Sequence, residues 1–227
     1  MGFTQLDKNK NDIMADAGEE AVARRQAAAG GRIRANDAME PEARTGPRPY
    51  QAAVITLSDQ GARGEREDLS GPAIVRRLAA AGYEIVETLL LPDGEHPLRE
   101  QLLRLCDQRR LDLILTTGGT GFTPRDQTPE ATLSVAERQA PGIAEAIRAH
   151  SLRITRRAMF SRGVAVLRGK TLIVNLPGSP KAVQESLDAI LDELPHGLDM
   201  LRNSVQNCAR DERLYGQGQE RVNPRFA

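Results

Sequence analysis

Residues 52–57 (AAVITL) form a short unbroken apolar run that stops at the polar pair Ser58-Asp59. A run of that length without polar alternation is what a strand covered on both faces requires. A polar loop over residues 60–70 follows, and Gly71-Pro72 opens a helix where the missing proline N–H costs nothing. Ile74, Val75, Leu78 and Ala79 supply its apolar stripe, and Gly82 ends it. Residues 83–91 predict a second strand closed by Pro92. Pro97 starts the next helix, with Leu98, Leu102, Leu105 and Cys106 at core spacing. Residues 113–115 (LIL), extended by Thr116-Thr117, predict a third buried strand that runs directly into Gly118-Gly119-Thr120-Gly121.

A helix is expected from Thr128-Pro129-Glu130, with Thr128 as N-cap, proline in the first turn and Glu130 favoured by the helix dipole. Pro141-Gly142 starts another, to about His150. Residues 164–167 and 171–176 flank Arg168-Gly169-Lys170 as a hairpin-like pair. The last helix begins near Pro180-Lys181 and carries Val183, Leu187, Ile190, Leu191 and Leu194; Pro195 is expected to kink or divide it before Leu198 and Leu201. Strands alternating with helices predict an α/β fold, a three-layer αβα sandwich around a largely parallel sheet with an antiparallel hairpin element. Ligands of such sheets sit at the carboxyl ends of strands. The loops at Ser58, Pro92, Thr117 and Leu176 are therefore the places where chemistry is expected.

The two ends of the chain read differently. Residues 1–48 scatter Leu6, Ile13, Val22 and Ile33 among Ala, Gly, Gln and Asn, too little apolar surface to offset the entropy of ordering. They are expected to be a disordered or partner-docking N-terminal extension. Residues 49–203 form the folded domain, and residues 204–227 are a polar C-terminal tail.

Composition narrows the function. Lys+Arg and Asp+Glu tie at 31 each, leaving no positive surplus for a nucleic-acid backbone or an acidic membrane. Aromatic residues make up 3% and Trp is absent, which argues against a base-stacking platform. Cys106 and Cys208 are too few and too far apart for a disulfide framework or a zinc cluster, and His96, His150 and His196 stand isolated. The opening MGFTQLDKNK is polar where a signal peptide is apolar, and no apolar run approaches the ~20 residues of a membrane span. A cytoplasmic location is expected.

The richest stretch is Thr117-Gly118-Gly119-Thr120-Gly121 with the following FTPRDQTPEAT. Three glycines after a buried strand let the backbone turn and present N–H groups to an anion. A tight strand-to-helix turn alone accounts for such a loop equally well. A dinucleotide fingerprint fails because Pro124 stands where glycine is needed, and a Walker loop ending at Gly169-Lys170-Thr171 fails because residue 164 is Val. Asp93 and Asp126 each follow a predicted strand, and if those strands are neighbours both carboxylates face one crevice. Carboxylates beside bound phosphates repel them unless a hard cation intervenes, and Mg²⁺ bridges such groups. The pair therefore points to metal-assisted phosphoryl or nucleotidyl transfer, although a turn or a helix cap also uses Asp in such positions. Asn175-Leu176-Pro177-Gly178-Ser179-Pro180-Lys181 and the loop from Ser58-Asp59 to Gly71 complete the candidate surface.

These segments, in this order and with Met159-Phe160-Ser161-Arg162 between them, resemble the molybdopterin adenylyltransferases of the Mog/MoaB family and the G domain of gephyrin, from about Tyr50 to Asn203. The resemblance implies adenylylation of molybdopterin with Mg-ATP as co-substrate, releasing pyrophosphate, in molybdenum cofactor biosynthesis. It implies Asp93 and Asp126 as the catalytic, Mg²⁺-holding pair. It assigns Thr117, Gly118, Gly119, Thr120 and Gly121 to phosphate and nucleotide, and Pro177, Gly178 and Ser179 to the pterin end. Ser58, Asp59 and Gly71 belong to the same implied binding surface. Trimers or hexamers, and hand-over to a molybdate-inserting enzyme, go with the family. Gln60 departs from the Arg or Thr common there. A non-catalytic molybdopterin carrier of the same fold is the alternative.

Overall fold

The apolar runs become the strands of one six-stranded sheet in the order β2-β1-β3-β6-β5-β4. The computed structural model describes residues 48–202; the expectations for the N-terminal extension, for Cys208 and for the polar tail lie outside the described residues. The strands are β1 (Gln51–Leu57), β2 (Glu84–Leu91), β3 (Leu113–Thr117), β4 (Arg138–Gln139), β5 (Ala165–Arg168) and β6 (Thr171–Leu176). β1 pairs parallel with β2 and β3, and β3 pairs parallel with β6. The chain reverses only at β5, which runs antiparallel to β6 and to β4.

Side chains alternate between two apolar layers, as the two-residue period of a strand demands. Ala52, Val54, Leu113, Leu115, Leu172, Val174 and Leu176 face one layer, which is closed by α2 (Ser70–Ala80), α5 (Pro141–Ile154), α6 (Pro180–Ile190) and α7 (Leu194–Arg202). Ala53, Ile55, Ile114 and Ile173 face the other, closed by α3 (Glu95–Leu103) and α4 (Thr128–Ser134). α3 continues into a π turn, Arg104–Gln108, that keeps Leu105 and Cys106 in the core. A short α1 (Asp59–Ala62) and a 3₁₀ turn (Arg156–Phe160) complete the order. The fold is the expected three-layer αβα sandwich. Among the described residues, no helix is long and apolar enough to cross a membrane.

Several local expectations change. β2 is an edge strand with half-exposed side chains, not a buried one, because only β1 covers it. Ala79 is exposed: one residue past buried Leu78, it turns about 100° away from the core, and Ala73 packs there instead. Pro195 divides the last helix by lying in the first turn of α7, where a missing N–H is harmless. Burial pushes the Cys106 thiol up to about 11, the behaviour of a core side chain rather than a reactive one.

The amino edge of the sheet is fastened by a buried carboxylate. Asp112 accepts hydrogen bonds from Arg202 at 2.6 and 2.8 Å and from the Gln51 N–H at 2.8 Å, and Arg48 lies 3.4 Å away. Burial alone would raise its pKa, but these donors and the two guanidinium charges outweigh burial and hold the carboxyl below its ordinary value. The folded value lies below the unfolded ~3.9, so this stabilisation is complete above about pH 4 and drains away as pH falls through the folded value. Asp112→Asn should lower stability by about 3 kcal/mol at neutral pH, because it strands Arg202 beside a neutral partner. The stability gap between the two proteins in denaturant melts should narrow as the pH falls below about 4; a gap that stays constant through the acid range would remove the charge argument.

Candidate active site

The carboxyl ends of β1, β2, β3 and β6 all open onto one side of the sheet, and the loops that leave them enclose a cavity of about 340 Å³. Its wall includes Ser58 after β1, Asp93 after β2, Thr117 and Gly119 at the end of β3, and Gly178 and Ser179 after β6. Asp126 reaches the same cavity from the loop before α4.

The glycine loop is built by close backbone approach. Gly118 has φ +98°, and a Cβ there would sit 2.3 Å from the carbonyl oxygen of Leu57. Gly119 has φ +62°, and its Cβ would sit 2.4 Å from the Thr128 hydroxyl. That hydroxyl donates to the Gly118 carbonyl at 2.9 Å, and the Thr128 N–H donates to the Gly119 carbonyl at 3.1 Å. Thr128 is thus not the helix N-cap; Gln127 occupies that position, and the Thr128 side chain stitches α4 onto the loop instead. Thr117 Oγ1 donates to the Pro177 carbonyl at 2.7 Å, and Ser70 Oγ donates to the Gly178 carbonyl at 2.8 Å. The N–H groups of Gly119, Thr120 and Gly121 find no acceptor among the described residues, so they remain for an anion.

The two candidate carboxylates arrive from strands that are not neighbours, since β1 lies between β2 and β3. The condition of neighbouring strands is not met, yet both side chains line the cavity because the loops lean across the end of β1. Asp93 Oδ2 accepts the Asp59 N–H at 3.0 Å, and the Asp93 N–H donates to Asp59 Oδ1 at 3.1 Å. Asp126 Oδ2 accepts the Thr123 N–H at 2.8 Å, while the Asp126 N–H donates to the Thr123 carbonyl at 3.0 Å. Asp93 Oδ1 would be 3.6 Å from a Cβ on Gly119, and Asp126 Oδ2 3.1 Å from one on Gly121. The carboxylates therefore flank the glycine loop. Asp93 Oδ1 and Asp126 Oδ1 receive no hydrogen bond among the described residues.

Other predicted site residues stand behind the wall rather than in it. Asp59 spends its carboxylate on Asp93 and on an ion pair with Arg125 at 2.6 Å. Gly71 is required by packing: a Cβ would lie 2.5 Å from Asp68 Oδ2 and 2.6 Å from Thr56 Oγ1. Asp68 accepts the N–H groups of Ser70 and Gly71 and the Thr56 hydroxyl, capping the start of α2. Gly118, Thr120, Gly121 and Pro177 shape the loops without lining the cavity. Ser58 and Ser179 line it while also capping α1 and α6 through the N–H groups of Gly61 and Ala182. Lys181 points away, 84% exposed and 3.7 Å from Glu185.

Sequence reasoning gave no role to three contributors. Arg66 is the one cationic residue in the wall, which also carries Glu67, Asp68, Asp93 and Asp126. Its signal was a basic residue in a polar loop after a strand, which is too common to single out. Arg162 donates its backbone N–H to the Thr120 carbonyl at 2.9 Å and Nε to the Gly121 carbonyl at 2.6 Å. Its guanidinium also reaches the Asp126 carbonyl and the Glu130 carboxylate. Arg125 is the third, through Asp59 and the Asp93 carbonyl.

Comparison with known proteins gives a consistent set of likenesses. A family model described as a probable molybdopterin binding domain matches residues 53–196. A molybdopterin adenylyltransferase from Helicobacter pylori J99 is 39% identical over 155 residues, covering 65% of this chain and 85% of that protein. The Escherichia coli K12 protein of the same name is 41% identical over 142 residues, covering 61% of this chain and 72% of its own length. Among solved structures, the molybdopterin biosynthesis enzyme MoaB of Thermus thermophilus superposes with a TM-score of 0.65 at 47% identity, over 68% of this chain and 97% of that one.

Proposed function

The chain belongs to the molybdopterin-binding domain family, and we propose that it transfers the adenylyl group of ATP to the terminal phosphate of molybdopterin, releasing pyrophosphate in molybdenum cofactor biosynthesis. The observation that carries this reading is the placement of Asp93 and Asp126 in the wall of one cavity together with Gly119, whose N–H group is unpaired among the described residues. A phosphate oxygen of the pterin attacks the α-phosphorus of ATP, the new P–O bond replaces the bond to the β-phosphate oxygen, and pyrophosphate leaves with that oxygen. Both reactants are anionic, so positioning and charge compensation carry most of the acceleration.

The residues of this chain divide that work. The N–H group of Gly119, in the cavity wall, receives a phosphate oxygen and stabilises charge that builds at the α-phosphorus, and the loop through Thr120 and Gly121 holds it in place. Gly178 and Ser179 face the pterin end. Asp93 Oδ1 and Asp126 Oδ1 are hard oxygen donors with no protein partner among the described residues, a donor set that suits Mg²⁺, which takes one or two carboxylates and fills its shell with phosphate and water. Bound there, Mg²⁺ would neutralise phosphate charge that a wall of four carboxylates and one arginine otherwise repels.

The activity is assigned to residues 49–203, with the segments on either side outside it, and to a cytoplasmic enzyme that hands its product to a molybdate-inserting partner. Assembly as a homotrimer or hexamer is part of the same reading. It is supported by exposed Met159 and by the exposed edge-to-face pair Phe122–Phe160, with centroids 5.4 Å apart. Light scattering reads the copy number.

The purified full chain should release pyrophosphate from Mg-ATP only when molybdopterin is present. Retention of molybdopterin with no pyrophosphate release would establish the carrier function in place of the transferase.

A further inference from the structure

The loops that carry Asp93 and Asp126 have no strand pairing with each other, because β1 intervenes. Two carboxylates that serve one ion must nevertheless keep a fixed separation, so something other than the sheet has to brace them. Asp59 and Asp93 brace the β1 and β2 loops by exchanging N–H donors, at 3.0 and 3.1 Å. A single guanidinium then joins the third loop to that pair. Arg125 Nη2 lies 2.6 and 2.7 Å from the two oxygens of Asp59 and donates to the Asp93 carbonyl at 3.1 Å. Arg125 immediately precedes Asp126, so the brace reaches the second carboxylate through one residue of chain. On its far side the same loop is held by Arg162 at the Gly121 and Asp126 carbonyls.

We propose that Arg125 is a positioning residue that sets the separation of Asp93 and Asp126, an inference that rests on the metal-assisted transfer reading. Arg125 does not line the cavity, so its contribution runs through the carboxylates and not through substrate. Its side chain is 63% exposed, and an ion pair so open to water adds little to global stability. Removing it therefore changes the site while leaving the fold intact. Lysine replaces it only in part: one nitrogen, Nη2, makes all three contacts, and a strongly hydrated ammonium on a flexible stem holds that position less firmly than a planar guanidinium does.

The test is a Mn²⁺ titration of the full chain with a non-hydrolysable ATP analogue, read by the paramagnetic resonance of free Mn²⁺. Arg125→Ala should weaken Mn²⁺ binding about tenfold, the usual scale for loss of a partner that orients a ligand. Its melting temperature should stay within about 2 °C of wild type. Arg125→Lys should recover only part of the affinity. Asp59→Asn, which keeps an oxygen for the Asp93 N–H and discharges the partner of Arg125, should weaken binding in the same direction. Equal Mn²⁺ affinity in Arg125→Ala and wild type overturns the inference. So does a raised KM for ATP at unchanged Mn²⁺ affinity, which would make Arg125 a phosphate contact. An Asp126→Asn protein that binds Mn²⁺ as wild type does overturns the metal reading itself, independently of Arg125.

Discussion

Turnover in Asp126→Asn should fall by about a thousandfold, measured as pyrophosphate release, with the melting temperature within a few degrees of wild type. The substitution is nearly isosteric. Asparagine keeps a side-chain oxygen to accept the Thr123 N–H, now 2.8 Å from Oδ2, so the turn from Thr123 to Asp126 is preserved. What disappears is the negative charge on the face of the cavity beside Gly121. A neutral amide is a poor ligand for a hard cation, and the phosphates then meet their remaining carboxylate neighbours with less compensation. Asp126→Ala is the less informative variant, because it also removes the cap from the turn. Activity within tenfold of wild type in the asparagine variant would show that this carboxylate only shapes its loop.

Gly118→Ala should be the most damaging single-methyl change in the domain. The new Cβ would lie 2.3 Å from the Leu57 carbonyl oxygen and 3.3 Å from its carbon, at φ +98°. These are backbone atoms at the end of a strand paired on both sides, so they cannot step aside as a flexible side chain would. Strain of that kind is worth on the order of 3 kcal/mol, or a fall of roughly 10 °C in melting temperature. Any relief must come from moving Gly119 and Thr120, so activity should fall by more than the loss of folded protein explains. Gly169→Ala provides the contrast: its φ is +54°, but nothing lies within 4 Å of the new Cβ, and its hairpin is remote from the cavity. A melt of Gly118→Ala unchanged from wild type would contradict this account of the loop.

The sheet was largely legible because its strands are short apolar runs punctuated by glycine and proline. Residues 113–117 and 171–176 were located without error, since unbroken Leu, Ile and Val next to a turn signal leaves few alternatives. β4 was not visible: two exposed residues, Arg138 and Gln139, carry no hydrophobic signal and form a strand only because β5 offers an edge. α1 escaped for a similar reason, being a four-residue turn whose cap, Ser58, reads equally well as loop. Strand order was beyond the sequence. A shared crevice for Asp93 and Asp126 was tied to their strands being neighbours; β1 separates those strands, and the two carboxylates meet in one cavity through their loops instead. Glycines were easy to notice and hard to sort. Gly71 and Gly119 look alike in sequence, yet one makes room for a helix-capping carboxylate and the other lines the cavity. Arg125 and Arg162 escaped because their roles lie in pairings across 32 to 66 positions, which no local pattern encodes.

Arg202 donates to the carbonyls of Arg48 and Pro49 at 2.8 and 3.0 Å, so residues 48 and 202 meet at the same spot on the amino edge of the sheet. Catalysis, on the proposed reading, happens at the opposite rim. A short linker from 202 back to 48 would close the backbone into a ring, so the chain could be opened afresh at an exposed turn such as Gly169-Lys170 without disturbing the mouth.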